Sequence, residues 1–283
     1  MGFCSGVQNA IVRVNEAIDL AESRGLPIYT IGPLIHNDQY LSYLERHGVK
    51  IVESPEEAEP GIAVIRAHGI PQKMREEFEK RGYHLLDGTC PRVIRSQRIV
   101  SKCSDEGETV VLVGDPGHGE VFAVAGAAGG PGRVIIIHEE KDISRIPLEA
   151  HMTILSQTTF SKDRFISIAG KLKQTLEQCG GELEIIQSIC PSTKNRQQAL
   201  QTLCETVDAI IVVGGKNSSN TKRLFELAGS CCRWVWHINS PDEVTQEMCG
   251  FDVIGITAGA STPDWLVVSI EEHISTLCMN LQD

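Results

Sequence analysis

The chain has 283 residues, of which 41% are hydrophobic and 22% charged, and its formal net charge is −11. This is the composition of an ordinary globular protein, long enough for two or three small domains. The acidic balance argues against broad nucleic-acid binding and against an anionic membrane surface, and no apolar run approaches a membrane span. No signal pattern opens the sequence either, so a cytoplasmic protein with neither a nucleic-acid nor a membrane partner is expected. Ten cysteines in such a chain are expected to be reduced, and so to be buried hydrophobes, metal ligands or reactive groups.

The sequence opens on Gly2-Phe3-Cys4-Ser5-Gly6-Val7. Ile11, Val14, Ile18 and Leu20 then have the spacing of an amphipathic helix from Val7 to Arg24, ended by Gly25. A short β-rich run, a Gly- or His-containing turn and a helix follow one another from there. Strands are predicted at 27–31, 62–65 and 83–86, leading to His36, to His68 and to the turn Gly88-Thr89-Cys90-Pro91. Strands at 109–113, 134–137 and 152–155 follow, with Gly117-His118-Gly119-Glu120 after the first and Gln157-Thr158-Thr159 after the last. A helix over 162–178 and a strand over 183–186 lead to Ile189-Cys190-Pro191. Strands at 208–213, 234–238 and 253–256 and a helix over 264–277 complete the pattern, with turns at Ser218-Ser219-Asn220 and Gly259-Ala260-Ser261.

Strands alternating with helices imply an α/β fold with mostly parallel sheets. Cys4, Cys90 and Cys190 recur about once in each third of the chain. The pattern predicts three similar small α/β domains, 1–90, 91–188 and 189–283, around a common cleft. Ligands of open α/β sheets bind beyond the carboxyl ends of the strands, and His36, His68, His118, Thr158, Ser218, Ser219, Asn220 and Ser261 all fall there. Cys90 and Cys190 do too, and Cys4 opens a helix.

Proline is tolerated at the first helical position, and a cysteine just before it meets the positive end of the helix, which favours thiolate. Three such cysteines would make a soft metal site. The other seven (Cys103, Cys179, Cys204, Cys231, Cys232, Cys249, Cys278) read as buried or half-buried small residues. No close C-x-x-C pair signals a zinc ribbon or an ordinary ferredoxin motif. Glu120 beside His118 is a plausible proton-delivery pair, against the plainer reading of a carboxylate that favours a helix start. Ser218-Ser219-Asn220 offers hydroxyl, amide and backbone donors to a phosphate, or is simply a helix cap.

With these segments in place, the chain resembles the 4-hydroxy-3-methylbut-2-enyl diphosphate reductase (IspH/LytB) family. The resemblance rests on the segments already quoted, with Ala67-His68-Gly69, Asn195-Arg196-Gln197 and Gly255-Ile256-Thr257-Ala258, in family order over essentially the whole chain. It implies a [4Fe–4S] cluster held by three cysteine ligands, Cys4, Cys90 and Cys190, with one open iron for the substrate hydroxyl. It implies Glu120 as the proton source, with Thr158 and His118 ordering the hydroxyl, a water or the diphosphate. It gives His36, His68, Ser218, Asn220 and Ser261 to the diphosphate, with Ser219 close by, and an external electron donor such as ferredoxin or flavodoxin. A non-catalytic iron–sulfur sensor or small-phosphate binder of the same fold is the alternative, and a zinc hydrolase a third. Two departures are Ala123, where the family often has glycine, and Pro191-Ser192 after the third cysteine. The strand that the family places before Gly-Phe-Cys is missing from the sequence, which is expected to loosen Cys4.

Overall fold

The computed structural model describes residues 2–280. In chain order these form α1 (Ser5–Arg24), β1 (Ile28–Ile31), α2 (Asp38–Arg46), β2 (Val49–Val52), β3 (Ile62–Ile65), α3 (Gln72–Lys80) and β4 (His84–Asp87). Then come α4 (Pro91–Asp105), β5 (Thr109–Val113), α5 (Gly119–Ala125), β6 (Val134–Ile137), β7 (His151–Ser156), α6 (Lys162–Gln178) and β8 (Glu182–Ile185). The last third holds α7 (Pro191–Cys204), β9 (Ala209–Val213), α8 (Ser219–Cys231), β10 (Trp234–Ile238), β11 (Ile254–Ala258) and α9 (Asp264–Asn280). Among the described residues no helix is long and apolar enough to cross a membrane.

The strands form three parallel sheets, ordered β2-β1-β3-β4, β6-β5-β7-β8 and β10-β9-β11. The α/β fold with three parallel-sheet units is therefore as the sequence implied. By internal contacts the chain divides into two units. One holds Asn9–Leu34 and Val49–Cys190, and with them the first two sheets; the other holds the segment through Gln8, Ile35–Gly48 and the chain from Pro191 on, with the third sheet.

The central strands are apolar on both faces, as parallel strands covered on both sides must be. In the second sheet, Val111, Val113 and Ile154 pack with Phe165, Ile168, Leu172 and Leu176 of α6. Val110, Leu112 and Leu155 face the other way, onto Val93 and Val100 of α4 and Val121 and Val124 of α5. Each buried aliphatic side chain of this kind contributes about 1.5–3 kcal/mol. In the third sheet, Ile211 and Val213 pack on Leu266, Ile270 and Ile274 of α9, and Ile210 and Val212 on Leu200 of α7 and Leu224 of α8. Helices on both faces leave the carboxyl ends of the strands as the place for loops and their chemistry.

Two elements lie outside the pattern read from the sequence. The helix α2 starts where Asn37 accepts a hydrogen bond from the Tyr40 backbone N–H at 2.9 Å. The strand β2, Val-Lys-Ile-Val, is too short to show a period. One expectation is corrected: four of the ten cysteines are paired, Cys204 with Cys231 and Cys249 with Cys278. The first pair joins the last residues of α7 and α8, so tertiary packing brings together positions that look unrelated along the chain. Cys179 is exposed, not buried, because it ends α6 at the surface.

Candidate active site

Glu120 enters the unit of Asn9–Leu34 and Val49–Cys190 near the start of α5, after β5. Its backbone N–H donates to Nδ1 of His118, the residue that caps the helix, at 3.2 Å. With Nδ1 used as an acceptor, a neutral His118 ring carries its proton on Nε2 and offers a donor there. The His118 ring meets the His68 ring edge-on, 4.9 Å between centroids.

The Glu120 side chain is 2% exposed. Both of its oxygens are engaged by Thr158, one by the backbone N–H at 2.6 Å and the other by the hydroxyl at 2.8 Å. Burial pushes the Glu120 carboxyl up to about 7; the two Thr158 bonds hold it back and the charge of Asp115 adds to the rise. A carboxyl that titrates near neutral pH can give up a proton where an ordinary glutamate has none left to give.

The same loops carry two of the cysteines. Cys190 N–H donates to the Thr158 carbonyl at 2.8 Å, and Cys90 N–H to the carbonyl of Ala67, next to His68, at 3.0 Å. Cys90 and Cys190 are half-buried, outside any disulfide, and each precedes a helix that begins with proline. In this unit Cys90, His68, His118, Glu120, Thr158 and Cys190 are thus linked by successive short contacts.

The other unit carries Cys4, His36, Ser218, Ser219, Asn220 and Ser261. Ser218 caps α8 by accepting from the Thr221 N–H at 3.3 Å. The Ser261 hydroxyl is 3.4 Å from that of Ser218 and 3.3 Å from the His36 carbonyl. Gly215 lies so close to that carbonyl that an added Cβ would overlap it. Asn220 is buried, and neither polar atom of its amide has a partner. Leaving such a group unsatisfied costs about 1–3 kcal/mol, a cost that a ligand would remove.

Cys4 is half-buried in this unit. Its N–H donates to the Ala260 carbonyl at 3.0 Å. Arg196 donates to the Gly2 carbonyl at 2.5 Å and to the Ala258 carbonyl at 3.0 Å. Gly2 has φ +69, and the Asp264 carboxylate fills the space a side chain would need. The loop after β11 thus holds Cys4 directly.

Two arginines stand out that the sequence assigned no role. Arg196 ties Gly2 to β11 as described; its place in Asn195-Arg196-Gln197 was the available signal. Arg66 follows β3 with its guanidinium against Gly119, where an added Cβ would lie 2.8 Å from Nη2. Its Nε has no partner, and burial lowers its pKa. A guanidinium held at that place suits an anionic ligand. The signal for it was an arginine between a fully buried strand and the turn Ala67-His68-Gly69.

The 4-hydroxy-3-methylbut-2-enyl diphosphate reductase of Treponema denticola is 36% identical, covering 97% of this chain and 96% of its own. That of Campylobacter concisus is 37% identical, with 96% of each chain covered. Among solved structures, the E-1-hydroxy-2-methyl-but-2-enyl-4-diphosphate reductase of Plasmodium falciparum superimposes with a TM-score of 0.88 at 30% identity, over 96% of this chain and 84% of that one. An (E)-4-hydroxy-3-methyl-but-2-enyl diphosphate reductase, described as the terminal enzyme of the non-mevalonate pathway, gives 0.70 at 34% identity over 97% and 96%. The family model described as LytB protein matches residues 1–275, and the chain belongs to that family.

Proposed function

We propose that this protein reduces 4-hydroxy-3-methylbut-2-enyl diphosphate, removing its allylic hydroxyl as water with two electrons and two protons to give isopentenyl and dimethylallyl diphosphates. The observation that carries the reading is the buried Glu120–Thr158 pair, a proton source poised near neutral pH in a chain of the LytB family. Hydroxide is a poor leaving group, and a carboxyl that protonates it lowers the barrier.

Family membership implies an iron–sulfur cofactor. The donor set fits one: Cys4, Cys90 and Cys190 are half-buried, outside disulfides, and each immediately precedes a helix, offering three soft sulfur ligands. We assign to them a [4Fe–4S] cluster with one open iron. When bound, that cluster supplies a Lewis-acid iron and a store for electrons.

The remaining roles belong to the chain's own side chains. Thr158 orients the Glu120 carboxyl through both of its oxygens, and His118 presents Nε2–H. Asn220, Ser218 and Ser261, with Ser219 close by, bind the diphosphate through neutral donors and the start of α8; His36 and His68 add imidazole donors. We assign the three sheets to three domains, 1–90, 91–188 and 189–283. We assign a cytoplasmic setting, which keeps Cys4, Cys90 and Cys190 as thiols, and the electron donor is a carrier such as ferredoxin or flavodoxin.

The test is an anaerobic assay. Protein isolated without oxygen should contain iron and inorganic sulfide and should oxidise reduced methyl viologen only when the hydroxylated diphosphate is added. Cluster-loaded protein that leaves the viologen reduced would overturn the assignment, and zinc without sulfide would point to a hydrolase.

A further inference from the structure

The basic residues of α4 form a pattern that neither the fold nor the substrate site requires. The helix carries Arg92, Arg95, Arg98 and Lys102 against a single acid, Asp105, at its far end, in a chain whose net charge is −11. All four basic side chains are exposed. Steps of three and four residues place them side by side along one stripe of a helix. Among the described residues none of the three arginines is in an ion pair; Lys102 meets Glu106 at 3.8 Å. The opposite face of α4, with Val93, Val100 and Cys103, is the one packed into the core.

Beside the stripe runs a crevice lined by Arg92, Arg95, Ser96 and Ile99 of α4 and by Ile186, Gln187 and Ser188. Ile99 and Ile186 supply a small apolar patch and belong to the same cluster as Cys90. One wall of the crevice leads back along the chain to Cys90, which caps α4, and the other forward to Cys190. Arg92 is about 3 Å along the helix axis from Cys90, at 1.5 Å per residue. A basic rim around a small apolar centre is the anatomy of a transient protein interface. Here it lies at the chain positions next to two cysteines assigned as cluster ligands.

We propose that this stripe and crevice are the docking face for a small acidic electron-carrier protein. Charge complementarity argues for that occupant: unpaired guanidinium groups on an otherwise acidic protein attract acidic partners and repel basic ones. Each docking passes one electron from the reduced carrier, which leaves oxidised. Two dockings supply the two electrons that, with two protons, release the hydroxyl as water. The inference rests on the reductase reading, so its test must fail separately from that reading.

The experiment compares the wild type with the triple variants R92E/R95E/R98E and R92K/R95K/R98K. Flavodoxin is the probe. Its binding is measured by calorimetry at low and high salt, and turnover is measured with reduced flavodoxin and with reduced methyl viologen. Glutamates should weaken binding and lower flavodoxin-supported kcat/KM about tenfold or more at low salt, within the usual range of electrostatic steering. Lysines should preserve most of both. Added salt should bring the wild type toward the glutamate variant, and viologen-supported turnover should be unchanged.

Flavodoxin binding and turnover equal in wild type and glutamate variant would overturn the proposal. An equal loss with both electron sources would overturn it too, by showing that α4 acts only in the fold. A wild type that binds flavodoxin through these arginines but turns over with neither reductant would support the docking face and sink the reductase reading.

Discussion

Replacing Glu120 with glutamine keeps the size of the side chain and a hydrogen-bonding partner for each Thr158 contact, and removes only the titrating proton. The carboxyl stands at about 7 in the folded protein against 4.5 for the ordinary group. At about 1.4 kcal/mol for each pH unit, that difference amounts to roughly 3–4 kcal/mol. The folded-state value is raised, so the folded protein binds the proton more tightly than the unfolded chain does. The group costs no stability below the ordinary value; the cost grows as pH rises through the window from 4.5 to about 7 and is complete above it. Glutamine has no such cost, so the stability of the variant relative to wild type should rise by about 3–4 kcal/mol across that window. Urea unfolding of both proteins without oxygen, at a series of pH values, measures this.

Activity should move the other way. Losing a positioned proton donor costs about 10²–10⁴-fold in rate, so the variant should keep its iron and visible absorbance and lose most turnover. Wild-type kcat should fall as pH rises through about 7, where Glu120 loses its proton. Parallel stability profiles for the two proteins would refute the burial argument. A variant with wild-type kcat would remove Glu120 from the proton path.

Three further substitutions separate the other roles. Thr158→Val removes the hydroxyl that holds Glu120 down, so the break in the pH–rate profile should move higher and kcat fall about tenfold, with Thr158→Ser restoring both; an unmoved break would count against the Thr158 contact. Asn220→Ala should raise KM for the diphosphate about tenfold or more without lowering the melting temperature of substrate-free protein, because the amide has no partner there to lose; a lower melting temperature with unchanged KM would make Asn220 purely structural. Gly215→Ala should destabilise by about 1–3 kcal/mol and weaken substrate binding together, since its Cβ would push away the His36 carbonyl that Ser261 also reaches; an unchanged KM would show that this loop does not set the site.

The parts of this molecule that were legible in the sequence are those written locally. Val110 to Val113 and Ile210 to Val213 read as strands because both faces are buried, and Cys90-Pro91 and Ser218-Ser219-Asn220 read as helix starts because a cap is a local device. The strand β2 escaped because four residues carry no usable period. The pairing of Cys204 with Cys231 escaped because it depends on how α7 and α8 pack. Arg66 was overlooked for the same reason, since its guanidinium matters only where Gly119 lies against it. The titration of Glu120 is the furthest from the sequence. The pattern His118-Gly119-Glu120 suggested a proton pair, but the titration of the carboxyl is set by burial and by Thr158, thirty-eight positions away.

An acidic enzyme for a diphosphate faces a conflict, because its own charge repels the substrate. Apart from Arg66, the candidate site resolves it with donors that carry no net charge. Asn220, Ser218 and Ser261 are buried and neutral; Ser218 and Asn220 open α8, and Ser261 reaches Ser218 from the loop after β11. Such donors are worth most where water is excluded, and they do not draw anions to the surface at large. A long-range field is needed only by a partner too large to enter the site. The exposed arginines of α4 supply one, and among the described residues none of them is in an ion pair. On this argument, raising the salt concentration should slow reduction by an acidic carrier far more than reduction by viologen, and should leave KM for the diphosphate nearly unchanged, because buried contacts are screened much less than exposed ones.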